Sequence, residues 1–236
     1  TYNPNSKFID DAIKNANSLS YKLCDEINTI ASYNGFIETN PSSIEKDLAT
    51  KQRNILAFLI ASDCQSIDSM QSYIDLYPNS EHIEMAIIKR TSLEFIKATE
   101  KETVNPVNSF IYMYPNAKEH AKAVKQRDLF SFRDATKSNS IDSLNYFIYY
   151  LPFANQIDDA IAYRDSLDYS NALVQNSLPA FKEYYLDYPF SDFNQDALDK
   201  YAYLKLANIK QYGSIEDVNE YIFENAGNKY ANTAII

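Results

Sequence analysis

The side chains that most often carry out chemistry are sparse in this chain of 236 residues. Its two histidines, His82 and His120, each follow a Tyr-Pro dipeptide, and no Cys or His lies near them at the spacing of metal ligands. We therefore expect both histidines to face solvent at the start of a helix. The two cysteines, Cys24 and Cys64, are too few for a structural zinc site and are interpreted as free thiols. A disulfide between them would need backbone atoms within about 7 Å.

The carboxylates offer no acid and base that face one substrate. Asp158 and Asp159 are adjacent, so on a helix their side chains point in different directions. The sequence has no P-loop, no nucleophile elbow and no zinc-binding helix motif. We therefore predict that this segment is not an enzyme and needs no cofactor and no metal, although a catalytic domain elsewhere in a parent chain stays open.

Composition and charge exclude further classes of partner. The chain has 22 basic and 32 acidic side chains and a net charge of −10, so its field repels nucleic acid. No stretch approaches the run of about 20 apolar residues that a membrane span needs. Only three glycines leave little material for tight turns or phosphate-binding loops, which favours helices. The sequence thus predicts a helical protein that neither binds nucleic acid nor spans a membrane.

The sequence repeats with a period of 37 residues, and its prolines set the register. Six prolines are 37 residues apart: Pro4, Pro41, Pro78, Pro115, Pro152 and Pro189. The next step falls on Ala226, which marks a seventh unit without its proline. The eighth residue after each marker is alanine: Ala12, Ala49, Ala86, Ala123, Ala160, Ala197 and Ala234. A small side chain at a fixed position predicts a point where two helices touch.

Each repeat predicts two helices, helix A and helix B, because its apolar residues recur at spacings of three and four. A hydroxyl residue that can cap helix B recurs at Thr29, Ser66, Thr103, Ser140, Ser177 and Ser214. The proline after helix B ends that helix, since it disfavours α geometry in the residue before it. A lone hairpin cannot bury its apolar face, so we expect an all-α solenoid of about six full hairpins and a truncated seventh, forming one domain over residues 1–236.

The order of a small residue, an aromatic, a second small residue, a turn, a second helix and a Tyr-Pro pair resembles the tetratricopeptide repeat family. The junction Tyr77-Pro78-Asn79-Ser80 matches a lengthened form of that repeat. The resemblance covers nearly the whole chain and implies a right-handed α-α superhelix that binds proteins. The period exceeds the family's value of about 34, and the Trp and Gly of its helix A are absent. Similar repeats in bacterial envelope scaffold lipoproteins imply a place in the periplasm or at the outer membrane.

A protein or peptide partner would bind on the part of helix A that the hairpin leaves uncovered. This helix A strip consists of the residues 7, 10, 14 and 18 positions after each proline. It is apolar in the second and third repeats and basic in the fourth. The candidate partner-binding residues are Leu48, Ile55, Leu59, Met85, Ile88, Ile96, Lys122, Lys125 and Arg133. We predict an apolar groove with a basic border, suited to a helical or extended peptide with an acidic end.

Three alternatives stay open. Superhelical twist could bury the helix A strip against neighbouring repeats, and the chain could be a structural spacer or oligomerisation arm of a larger envelope or surface protein. Both ends fall within a repeat, so we expect a segment of a longer protein or a homodimer that pairs through Ala234, Ile235 and Ile236.

A row of arginines lies on the buried side of helix A, which predicts a structural role rather than anion binding: Arg53, Arg90, Arg127 and Arg164.

Overall fold

The computed structural model describes residues 7–225, and within that range the protein is all-α, with twelve helices, no strand and 79% of its residues helical. Long and short helices alternate along the chain. The long helices are α1 (Lys7–Ile27), α3 (Lys46–Asp63), α5 (Ile83–Glu100), α7 (His120–Ser138), α9 (Ile157–Gln175) and α11 (Asn194–Tyr212). The short helices are α2 (Ile30–Thr39), α4 (Ile67–Leu76), α6 (Val104–Met113), α8 (Ile141–Tyr150), α10 (Leu178–Asp187) and α12 (Ile215–Glu224). The predicted all-α class is confirmed.

The hydroxyl residues predicted as caps begin all six short helices of the described range. At the start of α2 the Thr29 hydroxyl accepts a hydrogen bond from the Ser32 N–H at 3.0 Å. Thr103 has the same extended backbone, but its side chain accepts no capping bond among the described residues. The third residue of α6 is Pro106, which has no N–H to donate. The cap position therefore recurs in every described repeat, even where Pro106 removes the N–H to which the other caps bond.

The prolines lie just after the short helices, in the turns that follow them. Pro41, Pro78, Pro115, Pro152 and Pro189 all lie in turns between helices. The residue before Pro78 is Tyr77, whose backbone has left α geometry at φ −129° and ψ 54° while its N–H still donates to the Tyr73 carbonyl at 2.9 Å. The prediction that these prolines separate helices is confirmed. Pro4 lies outside the described residues.

The chain divides into two compact units, Thr1–Val124 and Lys125–Ile236, and each is described by itself. In the first unit every helix from α1 to α6 packs against the next one, and α3 also packs against α5. A hydrogen bond from Lys89 Nζ on α5 to the carbonyl of Ser62 on α3, 2.8 Å long, joins these two helices. In the second unit α8 to α12 pack in the same consecutive order. The core of each unit thus lies between successive helices.

The alanine positions mark the closest helix contacts, with one exception. Five of these alanines are fully buried: Ala49, Ala86, Ala123, Ala160 and Ala197. Ala12 was also expected at a helix contact, but it is exposed. The expectation was wrong there because α1 is the first helix of the described range and no earlier described helix covers that face. Ala226 and Ala234, with the predicted dimer residues Ile235 and Ile236, lie outside the described residues.

Candidate functional site

The apolar part of the helix A strip is exposed on α3 and α5 of the first unit. Its most exposed members are between 45% and 61% accessible: Leu48, Leu59, Met85, Ile88 and Ile96. Ile55 is half-buried because it lines a cleft between α3 and the turn before α5. The opposite face of α3 is the buried one, with Ala49, Phe58 and Ala61 in the core. These six side chains lie on α3 and α5, two helices of the first unit that pack against each other.

The basic part of the strip is divided between the two units. Lys122 is exposed in the first unit, where its ammonium lies 5.4 Å from the centre of the Phe95 ring on α5. Lys125 and Arg133 are also exposed, but they belong to the second unit. There the Arg133 guanidinium lies 5.1 Å from the centre of the Phe130 ring and 3.8 Å from the Asp134 carboxylate. Lys122 is therefore the basic residue of the strip that shares a unit with its apolar members.

A first cleft of about 230 Å³ lies between α3 and the turn before α5. Its lining is largely polar: Asp47, Thr50, Lys51, Asn54, Ile55, Asn79, Ser80, Glu81 and His82. Lys51 Nζ and Glu81 Oε1 form a salt bridge of 2.9 Å across it. The hydrogen bond in this pair raises the pKa of Lys51 and lowers the pKa of Glu81. Both side chains are exposed, so the bridge contributes little stability, but it places matched charges on the two walls.

A second cleft of about 460 Å³ lies between α5 and the turn before α7, within the first unit. Its lining is mostly apolar: Ile87, Ile88, Thr91, Met113, Tyr114, Pro115, Asn116, Ala117, Lys118 and Glu119. The Glu119 carboxylate accepts a hydrogen bond of 2.6 Å from the Ser92 hydroxyl, which fixes the turn to α5. Ile88 forms part of this wall, so the second cleft includes one exposed apolar residue of the helix A strip.

A third cleft of about 200 Å³ lies in the second unit, between α9 and the turn before α11. Its lining combines carboxylates with aromatic rings: Asp158, Ile161, Ala162, Asp165, Phe190, Ser191, Asp192 and Phe193. The Phe193 ring stacks on Tyr169 with 5.0 Å between ring centres, and the Tyr169 hydroxyl donates to Asp196. Burial raises the pKa of Tyr169, and the bond to Asp196 raises it further. The adjacent carboxylates Asp158 and Asp159 do not form an acid and base pair, since only Asp158 lines the cleft.

The arginine row is half-buried and is held by neighbouring side chains. Arg164 Nε donates to the Asp165 carboxylate at 2.9 Å, and Arg127 and Arg53 make the same contact with the residue that follows each of them. Arg90 differs because the next residue is Thr91, whose hydroxyl donates to the Ile87 carbonyl at 2.8 Å. The buried Nε of Arg90 has no partner among the described residues. The contacts of Arg53, Arg127 and Arg164 agree with the structural role expected for the row.

The histidines and cysteines do not form a reactive cluster in the described part of the chain. His82 was expected to face solvent, but it is half-buried, and its ring lies 5.2 Å from that of Phe58. His120 is also half-buried. Within residues 7–225 both thiols are free, with Cys24 buried and Cys64 exposed. The expectation of a solvent-facing side chain was wrong for His82 because its ring packs on Phe58 of α3.

Sequence reasoning missed the turns that close the clefts. Residues Met113 to Glu119 supply most of the second cleft, although none of them belongs to the helix A strip. One signal was available in the sequence. The four residues after the proline change from Asn-Ser-Glu-His at 79–82 to Asn-Ala-Lys-Glu at 116–119, which alters both polarity and charge at this edge.

No protein-family model matches this chain, and a search of curated proteins returned no match. Among residues 7–225 no helix has both the length and the apolar character that crossing a bilayer requires. The same residues contain no group of His, Cys, Asp and Glu side chains placed to hold a metal ion.

Proposed function

We propose that this chain is a tetratricopeptide-like helical repeat protein, a right-handed solenoid with a period of 37 residues, and that it binds a peptide or partner protein on its helix A strip. In this proposal residues 1–236 form one repeat domain that acts as a scaffold rather than as an enzyme. A bacterial envelope location belongs to the same proposal, since it follows from the resemblance to envelope scaffold lipoproteins.

The repeat is supported by the spacing of the short helices, which begin at residues 30, 67, 104, 141, 178 and 215. Each start is 37 residues after the previous one. The interhelical hydrogen bonds follow the same register: the hydroxyls of Tyr73, Tyr184 and Tyr221 each donate to the carbonyl of the residue 19 positions earlier. Identical contacts at identical spacing are what a stack of equivalent hairpins produces.

The binding role depends on one observation, the exposure of the apolar side chains on α3 and α5. Apolar surface costs about 25 cal/mol for each Å² left in water, and on soluble proteins apolar patches commonly mark interaction sites. A spacer without a ligand would keep these positions polar. On α9 and α11 of the second unit the first position of the strip is acidic, with Asp159 and Asp196. The apolar composition of α3 and α5 therefore favours binding over the spacer alternative.

The proposal is tested by selecting ligands from a phage library of random peptides on the immobilised chain. We expect the native chain to enrich a peptide motif and the double variant Ile55→Asp with Ile88→Asp to lose it. A matched control replaces Leu23 and Leu76 by Asp, since these two exposed leucines lie outside the strip. Circular dichroism should show native helicity in both variants.

Three outcomes would contradict the proposal. No enrichment on the native chain would favour a spacer, and equal loss in the control would show that binding does not depend on the helix A strip. Unfolding of the strip variant with a folded control would show that Ile55 and Ile88 stabilise the core instead of binding a partner.

A further inference from the structure

The clefts of the first unit are built alike but are lined differently. In each, one wall comes from the first turns of a long helix and the other from the turn before the next long helix. Lys51 and Ile88 occupy the same position, ten residues after Pro41 and Pro78. The facing positions hold Glu81 and Lys118, each the third residue after a proline. The second cleft thus has an isoleucine where the first has a cation, and a cation where the first has an acid.

This exchange leaves Lys118 without an acid on the opposite wall. Its side chain is 67% exposed, and its ammonium lies 3.6 Å from the carboxylate of the adjacent Glu119. That carboxylate is 12% exposed and already accepts a hydrogen bond from Ser92. The described residues of α5 that line the cleft are Ile87, Ile88 and Thr91, and none of them is charged. The second cleft therefore presents an apolar floor with an exposed ammonium at its edge, beside the largely buried Glu119 carboxylate.

The apolar lining of the second cleft lowers stability at Arg90, which precedes the lining residue Thr91. In the first cleft Asn54 lines the wall and accepts a hydrogen bond from Arg53 Nε at 3.2 Å. In the second cleft Thr91 occupies that position, and Arg90 Nε has no partner among the described residues. A buried donor without an acceptor is costly, so a structural role alone would favour Asn or Asp at residue 91. The replacement makes the wall less polar, which is what binding of an apolar group requires.

We propose that the second cleft binds a peptide segment of a partner protein that carries one large aliphatic side chain next to an acidic one. This inference rests on the proposed function and names the ligand chemistry of part of the same surface. The aliphatic side chain fills the space between Ile87, Ile88 and Met113, and the carboxylate pairs with Lys118. The volume of about 460 Å³ lies within the range of about 300–1,000 Å³ that is usual for ligand pockets. The exposed ammonium of Lys118 at the rim favours an acidic side chain in the ligand.

The test is an NMR titration of the 15N-labelled full chain with synthetic eight-residue peptides. The probes have Leu-Glu, Leu-Lys or Ala-Glu at the centre of an otherwise identical Ser-Gly sequence. We expect the Leu-Glu peptide to shift the amide signals of Ile88, Met113 and Lys118. It should bind about tenfold more tightly than the Ala-Glu peptide, because burial of a leucine side chain is lost in the latter. It should bind about threefold more tightly than the Leu-Lys peptide, because an exposed ion pair is worth little more.

Charge reversal gives a result that a merely structural role would not produce. Lys118→Glu should invert the preference, so that the Leu-Lys peptide binds more tightly than the Leu-Glu peptide. The double variant Ile88→Lys with Lys118→Glu recreates the charge pair of the first cleft and should bind neither peptide. Lys97→Glu is the matched control, since Lys97 is an exposed lysine at the other end of α5. The single Lys118 variant decides the question if the double variant fails to fold.

Several results would overturn the inference. The first is equal binding of all three peptides, and the second is a charge preference that Lys118→Glu does not invert. Octanoate that binds as tightly as the Leu-Glu peptide would show a small-molecule site. A concentration-dependent dimer that Ile88→Lys dissociates would show that a second copy of the chain covers the cleft. If phage selection yields strip-dependent peptides while Lys118→Glu has no effect, only this inference fails; if neither assay gives a result, the proposed function fails as well.

Discussion

The hydroxyl oxygens of Tyr184 on α10 and Ser191 in the turn before α11 lie 2.6 Å apart. Tyr184 gives its proton to the carbonyl of Asp165 at 3.0 Å, so Ser191 is the donor to the tyrosine oxygen. In other repeats the residue seven positions later changes with the aromatic residue. Tyr73 is followed at that spacing by Ser80, whereas Phe110 and Phe147 are followed by Ala117 and Ala154. Phe36 and Ser43 are the exception, and there the serine hydroxyl bonds to Glu45. Tyr73 and Tyr184 thus each have a serine hydroxyl within hydrogen-bond distance, whereas the two phenylalanines face alanines.

A double-mutant cycle on this pair should give a non-additive result. Tyr184→Phe removes both hydroxyl bonds and should lower the free energy of unfolding by about 1–2 kcal/mol. Ser191→Ala should cost about 1 kcal/mol, part of it from the lost bond between Phe193 N–H and the serine oxygen. The double variant should cost less than the sum by about 0.5–1 kcal/mol, as measured by urea unfolding. Strict additivity would mean that the two hydroxyls do not interact.

The unpartnered Nε of Arg90 predicts a stabilising substitution. Thr91→Asn places an acceptor where Asn54 serves Arg53, and should raise the free energy of unfolding by about 1 kcal/mol. The reciprocal change, Asn54→Thr, should lower it by a similar amount, since it leaves Arg53 Nε unpartnered. Urea unfolding of the two variants and the native chain checks both signs. A loss of stability in Thr91→Asn would show that residue 91 is selected for packing.

Two glycines should respond to alanine in opposite directions. Gly35 lies in the middle of α2, and a Cβ there would meet no atom within 4 Å. Gly35→Ala should therefore stabilise the chain by about 0.5–1 kcal/mol, because glycine is the poorer helix former. Gly213 is the control, since its Cβ would lie 2.7 Å from the backbone oxygen of Ile209. Gly213→Ala should lower the thermal midpoint, and a gain there would contradict the geometry of the α11 end.

The two threonine caps of the first unit provide a matched pair. Thr29 takes part in a reciprocal capping box with Ser32, whereas Thr103 accepts no capping bond because Pro106 follows at the third helical position. Thr29→Ala should cost about 1 kcal/mol and Thr103→Ala only a few tenths. Both side chains are exposed, so burial does not confuse the comparison. Equal losses in chemical denaturation would show that the hydroxyl bond is not what makes these residues useful as caps.

Stability should fall at alkaline pH because buried tyrosines hold their protons more tightly in the folded chain. Burial, with the nearby Asp168 carboxylate, raises the pKa of Tyr188 from 10.0 to about 12. The folded state therefore binds more protons than the unfolded state between these values, and the contribution of Tyr188, complete below pH 10, is lost as the pH rises towards 12. Burial also raises the pKa values of Tyr33, Tyr169 and Tyr184.

The variant Tyr188→Phe isolates one share of this effect. Its urea midpoint should decline less steeply than that of the native chain above pH 10, while the two should have parallel profiles at neutral pH. The ultraviolet absorbance of tyrosinate gives the titration independently. Identical alkaline slopes for the two chains would mean that Tyr188 titrates at its ordinary pKa in the folded protein.

The starts and ends of the helices could be predicted from the sequence, because their causes lie within a few residues of each helix end. The five prolines of the described turns and the hydroxyl caps such as Ser140 act within one turn of helix, so their effect is readable without any tertiary contact. The buried alanines could be predicted from helical spacing, because an alanine on the packed face is buried by whichever helix packs there. Ala12 shows the limit of that reasoning, because its burial depends on a preceding helix that the described range does not include.

The candidate site was decided by the tertiary structure. Ile88 and Lys118 are 30 residues apart, and only the packing of α5 against the turn before α7 places them in one cleft. The helix A strip followed from the geometry of a single helix, whereas the opposite wall of each cleft comes from the next part of the chain. Helical periodicity describes which face of a helix is free, but the distance and orientation between two elements depend on side-chain packing along their whole contact. That is why the exposed apolar residues could be predicted from the sequence, and the cleft that joins them to Lys118 could not.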